Sequence, residues 1–293
     1  MDGKRSSITT LSRRVSTANN TAAKINSSVT ASIALVTYQE IHYIQKSRRT
    51  SHKLQGVASS VMMKDGIMIL GLRMRKDLTG TIPKYLINRY FGWYATEYKN
   101  NSAWYQHQAD VGQHPATMII SCCDSRVNAE LLFGGEAGEF FVHRNIANLV
   151  PPYNLDGNHH GTSAAIEYAV TALKVAHIVV LGHSACGGIN GGYHMCNGTE
   201  KHLYEDTIYV KKWLEILHPA FESLERDRDV NTQIKDLEKL SIIVSLENLR
   251  SFPFVERARE HGKITLHGLW HDIGSGQMEV YDPASKQFHF LQD

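Results

Sequence analysis

The chain has 293 residues, a formal net charge of +2, 20% charged and 9% aromatic residues, and four cysteines. That length buries one sizeable core, and with no apolar run near the roughly 18 residues that span a bilayer the chain reads as soluble, without a membrane partner. So few cysteines in so long a chain exclude a secreted disulfide scaffold and suit a reducing compartment, where thiols are kept for metal binding or chemistry.

The charge is uneven. Nine of the 31 basic residues but two of the 29 acidic ones precede residue 62, so the remainder carries 22 basic against 27 acidic residues. A mildly acidic body argues against nucleic acid as a partner. Residues 1–61 are rich in Ser, Thr, Asn and Ala with little apolar periodicity. They read as a disordered extension or a targeting segment ahead of a single domain over 62–293. The expected compartment is the cytoplasm, or a mitochondrion or plastid if the extension is a transit peptide.

From Tyr85 to Gln113, Leu86, Tyr90, Phe91, Trp93, Tyr94, Trp104 and Tyr105 recur among polar residues. This predicts one or two amphipathic helices with a broad aromatic face. Thr117–Ser121 is a short strand-like apolar run that ends on Cys122, and Gly138–His143 is a second strand candidate. Gly161–Val175 has Ala165, Ile166, Ala169, Val170 and Leu173 at helical spacing. His177–Gly182 is a continuous apolar run of the kind buried on both faces of a sheet. Residues 204–240 predict further helices, and Leu240–Ser245 reads as helix or strand. Ile264–Ile273, Gly274-Ser-Gly276 and Gln277–Tyr281 predict a late hairpin. Strands alternating with helices imply an α/β fold with a mostly parallel central sheet flanked by helices.

Two segments follow apolar runs and carry chemistry: Cys122-Cys123-Asp124-Ser125-Arg126 and His183-Ser184-Ala185-Cys186-Gly187-Gly188. Parallel strands bring their carboxyl ends to one edge, where α/β folds assemble their sites. Residues some sixty positions apart can meet there. Two thiolates and an imidazole suit zinc rather than hard cations, and Cys₂His is a catalytic ligand set with one open position. A zinc ribbon would show two Cys-x₂-Cys pairs, and neither arm here supplies enough sulfur for a closed structural site.

Cys-x-Asp-Ser-Arg followed by His-x-x-Cys-Gly-Gly resembles the β-carbonic anhydrases. So do Phe141–Pro152, Ala165–Val170, Asn248–Phe254, and Leu266-His-Gly268 with Asp272-Ile273. The resemblance runs from about residue 80 to about 290. It implies one zinc per subunit on Cys122, His183 and Cys186, and reversible hydration of carbon dioxide to bicarbonate and a proton. The metal would lower the pKa of its bound water from 15.7 toward about 7, supplying hydroxide near neutral pH. The resemblance also gives Asp124 two roles: a fourth zinc ligand, or a partner of Arg126 that frees the metal for water and orients the hydroxide. Gln113 matches a plant-type glutamine that donates to substrate oxygen. Tyr168 matches a tyrosine near the substrate pocket, and the Gly187 N–H is placed to help bind bicarbonate. Ile119 stands where another branch has a tryptophan of an inhibitory bicarbonate site, although Arg144 and Tyr168 are retained, so that site is expected to be missing. His143, His159, His160 and His267 lie near the motifs, but none is assigned as a proton shuttle. The amino-terminal helices are expected to clasp a second subunit in a homodimer or larger homo-oligomer. Two other readings stay open: hydrolysis of carbon disulfide or carbonyl sulfide at the same site, and a non-catalytic zinc or redox-sensing role.

Overall fold

The computed structural model describes residues 81–156, 160–199 and 206–291. The expectations for residues 1–61, and for His159, lie outside them. Among the described residues, six strands form one sheet in the order β2-β1-β3-β4-β5-β6. The strands are β1 (Thr117–Cys122), β2 (Phe140–Asn145), β3 (His177–His183), β4 (Thr265–His271), β5 (Met278–Asp282) and β6 (Gln287–Phe290). The first four in spatial order run parallel, whereas β5 and β6 return antiparallel. The expected mostly parallel sheet is therefore present, with an antiparallel edge. No described helix is long and apolar enough to cross a membrane.

The alternation of side chains along each strand sorts the sheet into two faces. Met118, Ile120, Ile178, Val180 and Trp270 bury one face against Ile242, Leu246 and Leu249 of a long helix, Val230–Ser251. A Cβ on Gly182 would lie 2.7 Å from Ile242 Cδ1, and one on Gly268 would lie 2.8 Å from Ile242 Cγ2. Glycine at both strand positions lets the helix seat against β3 and β4. The other face holds a smaller cluster of Ile119, Val127, Ala129 and Leu181.

The helices follow in chain order as α1 (Lys84–Trp93), α2 (Ser102–Val111), α3 (Ala129–Leu132), α4 (Gly161–Glu167), α5 (Gly187–Asn197), α6 (Tyr209–Leu214), α7 (His218–Glu222), α8 (Val230–Ser251) and α9 (Pro253–Glu260). A π-helical turn at Tyr94–Tyr98 follows α1, and another at Tyr168–Leu173 prolongs α4. Neither α1 nor α2 buries a residue, and Tyr85, Tyr90 and Trp93 of α1 are all exposed. The aromatic face read from the sequence thus stands open in the single chain.

The structure moves one boundary of the sequence reading, decides one open alternative and adds one strand. The second strand begins at Phe140, because Gly138 adopts φ +93° and Glu139 N–H closes a turn on Glu136 O. Leu240–Ser245, read as helix or strand, is the interior of α8, where its apolar residues meet the sheet at helical spacing. Strand β6 escaped notice, since its four residues show no apolar run.

Helix α8 begins on a side-chain cap: Asp229 Oδ1 accepts the Thr232 N–H at 3.1 Å. Asp229→Ala is expected to lower unfolding stability by about 1 kcal/mol, whereas Asp229→Asn retains most of it. Urea titration of both variants checks this, and equal losses would show that the cap contributes nothing.

Candidate metal centre

Cys122 closes β1, His183 closes β3, and Cys186 caps the amino end of α5. Since β1 and β3 are parallel neighbours, with Ser121 opposite Leu181, their carboxyl ends emerge side by side. The sulfurs of Cys122 and Cys186 and a ring nitrogen of His183 lie within 4.8 Å of one another, and all three residues are buried. The two sulfurs are 3.9 Å apart. His183 Nδ1 sits 2.9 Å from the Ser184 carbonyl, a contact that assigns the ring proton to Nδ1. Its Nε2 is buried and meets no hydrogen-bond partner. An unmet buried acceptor costs about 1–3 kcal/mol. Two sulfurs and an orphaned imidazole lone pair converging on one point fit zinc, whose charge satisfies all three.

The sulfurs sit within an apolar cluster that includes Ala147, Leu149, Ile189 and Leu217. Backbone amides relieve this burial: Asp124 and Ala147 N–H approach Cys122 Sγ, and Gly188 and Ile189 N–H approach Cys186 Sγ. The hydrogen bond between the two sulfurs, supported by these amides, pushes the Cys122 pKa far below the thiol range. The same bond, with burial, pushes Cys186 up. The backbone beside the sulfurs is unusual. Ala147, Asn148 and Ala185 all adopt positive φ (63°, 48° and 55°), each costing about 1–2 kcal/mol for a residue with a Cβ. A Cβ on Gly188 would lie 3.0 Å from Ala147 Cβ, so glycine there lets the two arms close.

Beside the sulfurs, Arg126 holds Asp124 in a fork. Its Nε donates to Oδ1 at 3.0 Å and its Nη2 to Oδ2 at 2.7 Å, while the Arg126 backbone N–H adds a bond to Oδ1 at 3.0 Å. The guanidinium holds the Asp124 carboxyl well below the usual carboxylate range. Arg126 Nη2 also reaches the Ala185 carbonyl at 2.9 Å, tying the first arm to the second. Arg144 secures the first arm from β2, donating to the carbonyls of Cys122, Asp124 and Val127 at 2.8–2.9 Å.

The three expected ligands and the Asp124–Arg126 pair therefore come together. Gly187, the first residue of α5, is exposed and has open space where a Cβ would stand. Tyr168 is half-exposed and packs on Phe141 with ring centres 5.9 Å apart. Gln113 lies exposed in the link between α2 and β1. His143 is turned to Thr162, at 3.0 Å, and burial lowers its pKa. His267 shares the Thr265 hydroxyl with His177 on an exposed edge.

Sequence reading missed Glu238 of α8. It is buried, accepts the Cys186 N–H at 3.1 Å and the Trp270 Nε1–H at 3.2 Å, and burial pushes its carboxyl pKa up. The only signal was an acid on the inner stripe of an amphipathic helix, which no local motif marks. Ser184 was also unread: its hydroxyl accepts the Ile273 N–H at 2.9 Å and donates to Asp272 at 3.3 Å, joining the second arm to the end of β4.

The family model for carbonic anhydrases matches residues 117–278, more than half of the chain. Beta carbonic anhydrase 3 of Arabidopsis thaliana is 35% identical over 188 residues, covering 63% of this chain and 71% of that protein. The chain belongs to the β-carbonic anhydrase family. A carbonic anhydrase of Pseudomonas aeruginosa is 39% identical over 183 residues, 62% of this chain and 80% of that one. Among solved structures, one of two tetrameric β-carbonic anhydrases from Sordaria macrospora is similar at 30% identity and a TM-score of 0.56. That match covers 67% of this chain and 94% of the other. The matched span of the family model contains Cys122, Asp124, Arg126, Tyr168, His183, Cys186 and Gly187, but not Gln113.

Replacing either sulfur by oxygen tests the centre. Cys122→Ser and Cys186→Ser are each expected to weaken zinc binding by more than the roughly 10–100-fold typical of residues that merely support a ligand. Chelator competition reads this, and wild-type affinity in either variant removes that residue from the ligand set.

Proposed function

We propose that the chain interconverts carbon dioxide and bicarbonate, releasing a proton, at one zinc held by Cys122, His183 and Cys186. The observation that carries this reading is His183 Nε2, buried, unpartnered and converging with the two sulfurs. When bound, zinc supplies a nucleophile from water near neutral pH by lowering its pKa toward about 7.

The chain's own residues orient the reaction. Asp124, gripped through both oxygens by Arg126, keeps lone pairs with which to accept a hydrogen bond from the nucleophile and so aim it at carbon. Arg126 gates this arrangement. Its planar fork matches a carboxylate bidentately, and an Asp124 released from that fork would be free to act as a further ligand to the metal that Cys122, His183 and Cys186 would hold. The Gly187 N–H, at the amino end of α5 with nothing crowding its Cα, suits a substrate oxygen approaching the main chain. Tyr168 lines the approach, and Gln113 donates its amide to substrate oxygen, roles that rest on the resemblance of both residues to those of the family. Ile119 is buried with Val127, Ala129 and Leu181; with no tryptophan there, the chain lacks an inhibitory bicarbonate site.

The working form is a homo-oligomer of at least two copies, since Tyr85, Tyr90, Phe91 and Trp93 of α1 expose a large aromatic surface that a second copy would cover. The Sordaria macrospora relatives are tetrameric.

Stopped-flow hydration tests the mechanism. Asp124→Ala is expected to retain zinc yet lose about 10²–10³ in kcat/KM, and added bicarbonate to inhibit wild type only as product. Zinc-loaded wild type without hydration activity sinks the reading, and a fully active Asp124→Ala removes the aspartate from it. Sedimentation is expected to show a dimer or larger species; a fully active monomer would contradict the clasp.

A further inference from the structure

Glu238 is 3% exposed on the sheet-facing side of α8. Both of its oxygens are engaged, Oε1 by the Cys186 N–H and Oε2 by the Trp270 Nε1–H. Among the described residues no cation pairs with it; the adjacent Lys239 bonds Glu279 at 2.6 Å. A buried carboxylate without a cation is costly, and apolar residues of similar volume usually serve stability as well or better. What its oxygens hold is therefore the place to look for its role.

The Cys186 N–H is one end of the Ala185–Cys186 peptide. The other end, the Ala185 carbonyl, accepts Arg126 Nη2 at 2.9 Å. One peptide plane is thus gripped on its N–H side by Glu238 and on its C=O side by Arg126. Because the unit is rigid, holding both ends fixes the torsions on either side of it, and with them the left-handed Ala185 (φ 55°).

We propose that Glu238 is a positioning residue of the metal centre: through the Ala185–Cys186 peptide it sets the aim of the Cys186 sulfur and of the Arg126 fork that holds Asp124. It acts through the backbone and touches neither metal nor substrate. The inference rests on Cys186 being a zinc ligand, as proposed above.

Glu238→Gln keeps length and shape but offers one acceptor oxygen and an NH₂ group. One of the two N–H donors then faces another donor. Trp270→Phe removes the second donor, together with part of the buried ring that Lys235 and Lys239 lie over at 5.1 and 4.7 Å, and leaves Glu238 on Cys186, so it reports the structural effect of disturbing this region. In the double variant the amide is free to turn its oxygen to Cys186.

The experiment is carried out on the full chain. Zinc affinity is measured by chelator competition, and the cobalt-substituted protein by its visible absorption, whose thiolate-to-metal and ligand-field bands report ligand geometry. Glu238→Gln is expected to weaken zinc about 10–100-fold and shift the cobalt bands. Trp270→Phe is expected to lower Tm but keep wild-type affinity and bands, and the double variant to recover most of the lost affinity. A folded Glu238→Gln with wild-type affinity and spectrum overturns the inference. So does a Trp270→Phe that moves both as far as Glu238→Gln.

If Glu238→Gln does not fold, wild type carries the test. In the zinc-loaded chain labelled with ¹⁵N-cysteine, the Cys186 amide is expected to resist exchange with solvent, and rapid exchange overturns the inference. A folded wild type that binds no zinc brings down the proposed function itself, and this inference with it, which separates the two failures.

Discussion

Two sulfurs 3.9 Å apart in an apolar cluster are the constraint on which this site depends. Two negative charges that close and that dry repel each other strongly, and a bare thiolate is poorly solvated among leucines. A divalent cation answers the first problem, and backbone N–H groups answer the second. Four such amides converge, two on each sulfur. One of them comes from irregular backbone, for Ala147 lends its N–H from a left-handed turn, while Gly188 lends its own from the first turn of α5. At Ala147 local strain accompanies that solvation.

Strained turns persist only where their surroundings over-determine them, and three separate parts of the fold supply the hold. Arg144 reaches from β2 to three carbonyls of the first arm. Ser184 and Asp272 tie the second arm to the end of β4. Helix α8 stands behind both arms, brought close to the strands by Gly182 and Gly268, and from it Glu238 reaches Cys186. Arg126 joins the two arms to each other. The centre is therefore built on β1, β3, β4 and α8 together, which suits a site whose ligand geometry sets its reactivity.

Much of this was legible in the sequence. Short apolar runs ending on Cys122 and just before His183 located two parallel strands, and metal chemistry made sense of what followed them. Arg126 beside Asp124 announced a bidentate pair. The unread parts share a physical character. Glu238 lies 52 residues beyond Cys186, in a helix whose period marks that position as inward without saying what it meets. Ala147 and Ala185 hold positive φ that alanine does not advertise, since the stabilising contacts come from residues distant in sequence. Strand β6 is set by pairing with β5 rather than by its own apolar content. Local patterns register local causes, and these features have remote ones.

Gln113 shows the same logic at the level of assembly. Its match to the plant-type glutamine implies substrate contact, yet within one chain it sits exposed on the link between α2 and β1. The helices ahead of it bury nothing of their own while carrying a stacked run of rings, with Tyr94 and Tyr98 centred 5.0 Å apart. Ordering that much aromatic surface against water is unfavourable unless another surface covers it. A second copy seated there would fix the α2–β1 link from outside, and with it the direction of the Gln113 amide. The ligand-type atoms of Cys122, His183 and Cys186 converge within the fold of one chain; Gln113 and Tyr168, both exposed here, gain no comparable enclosure from it.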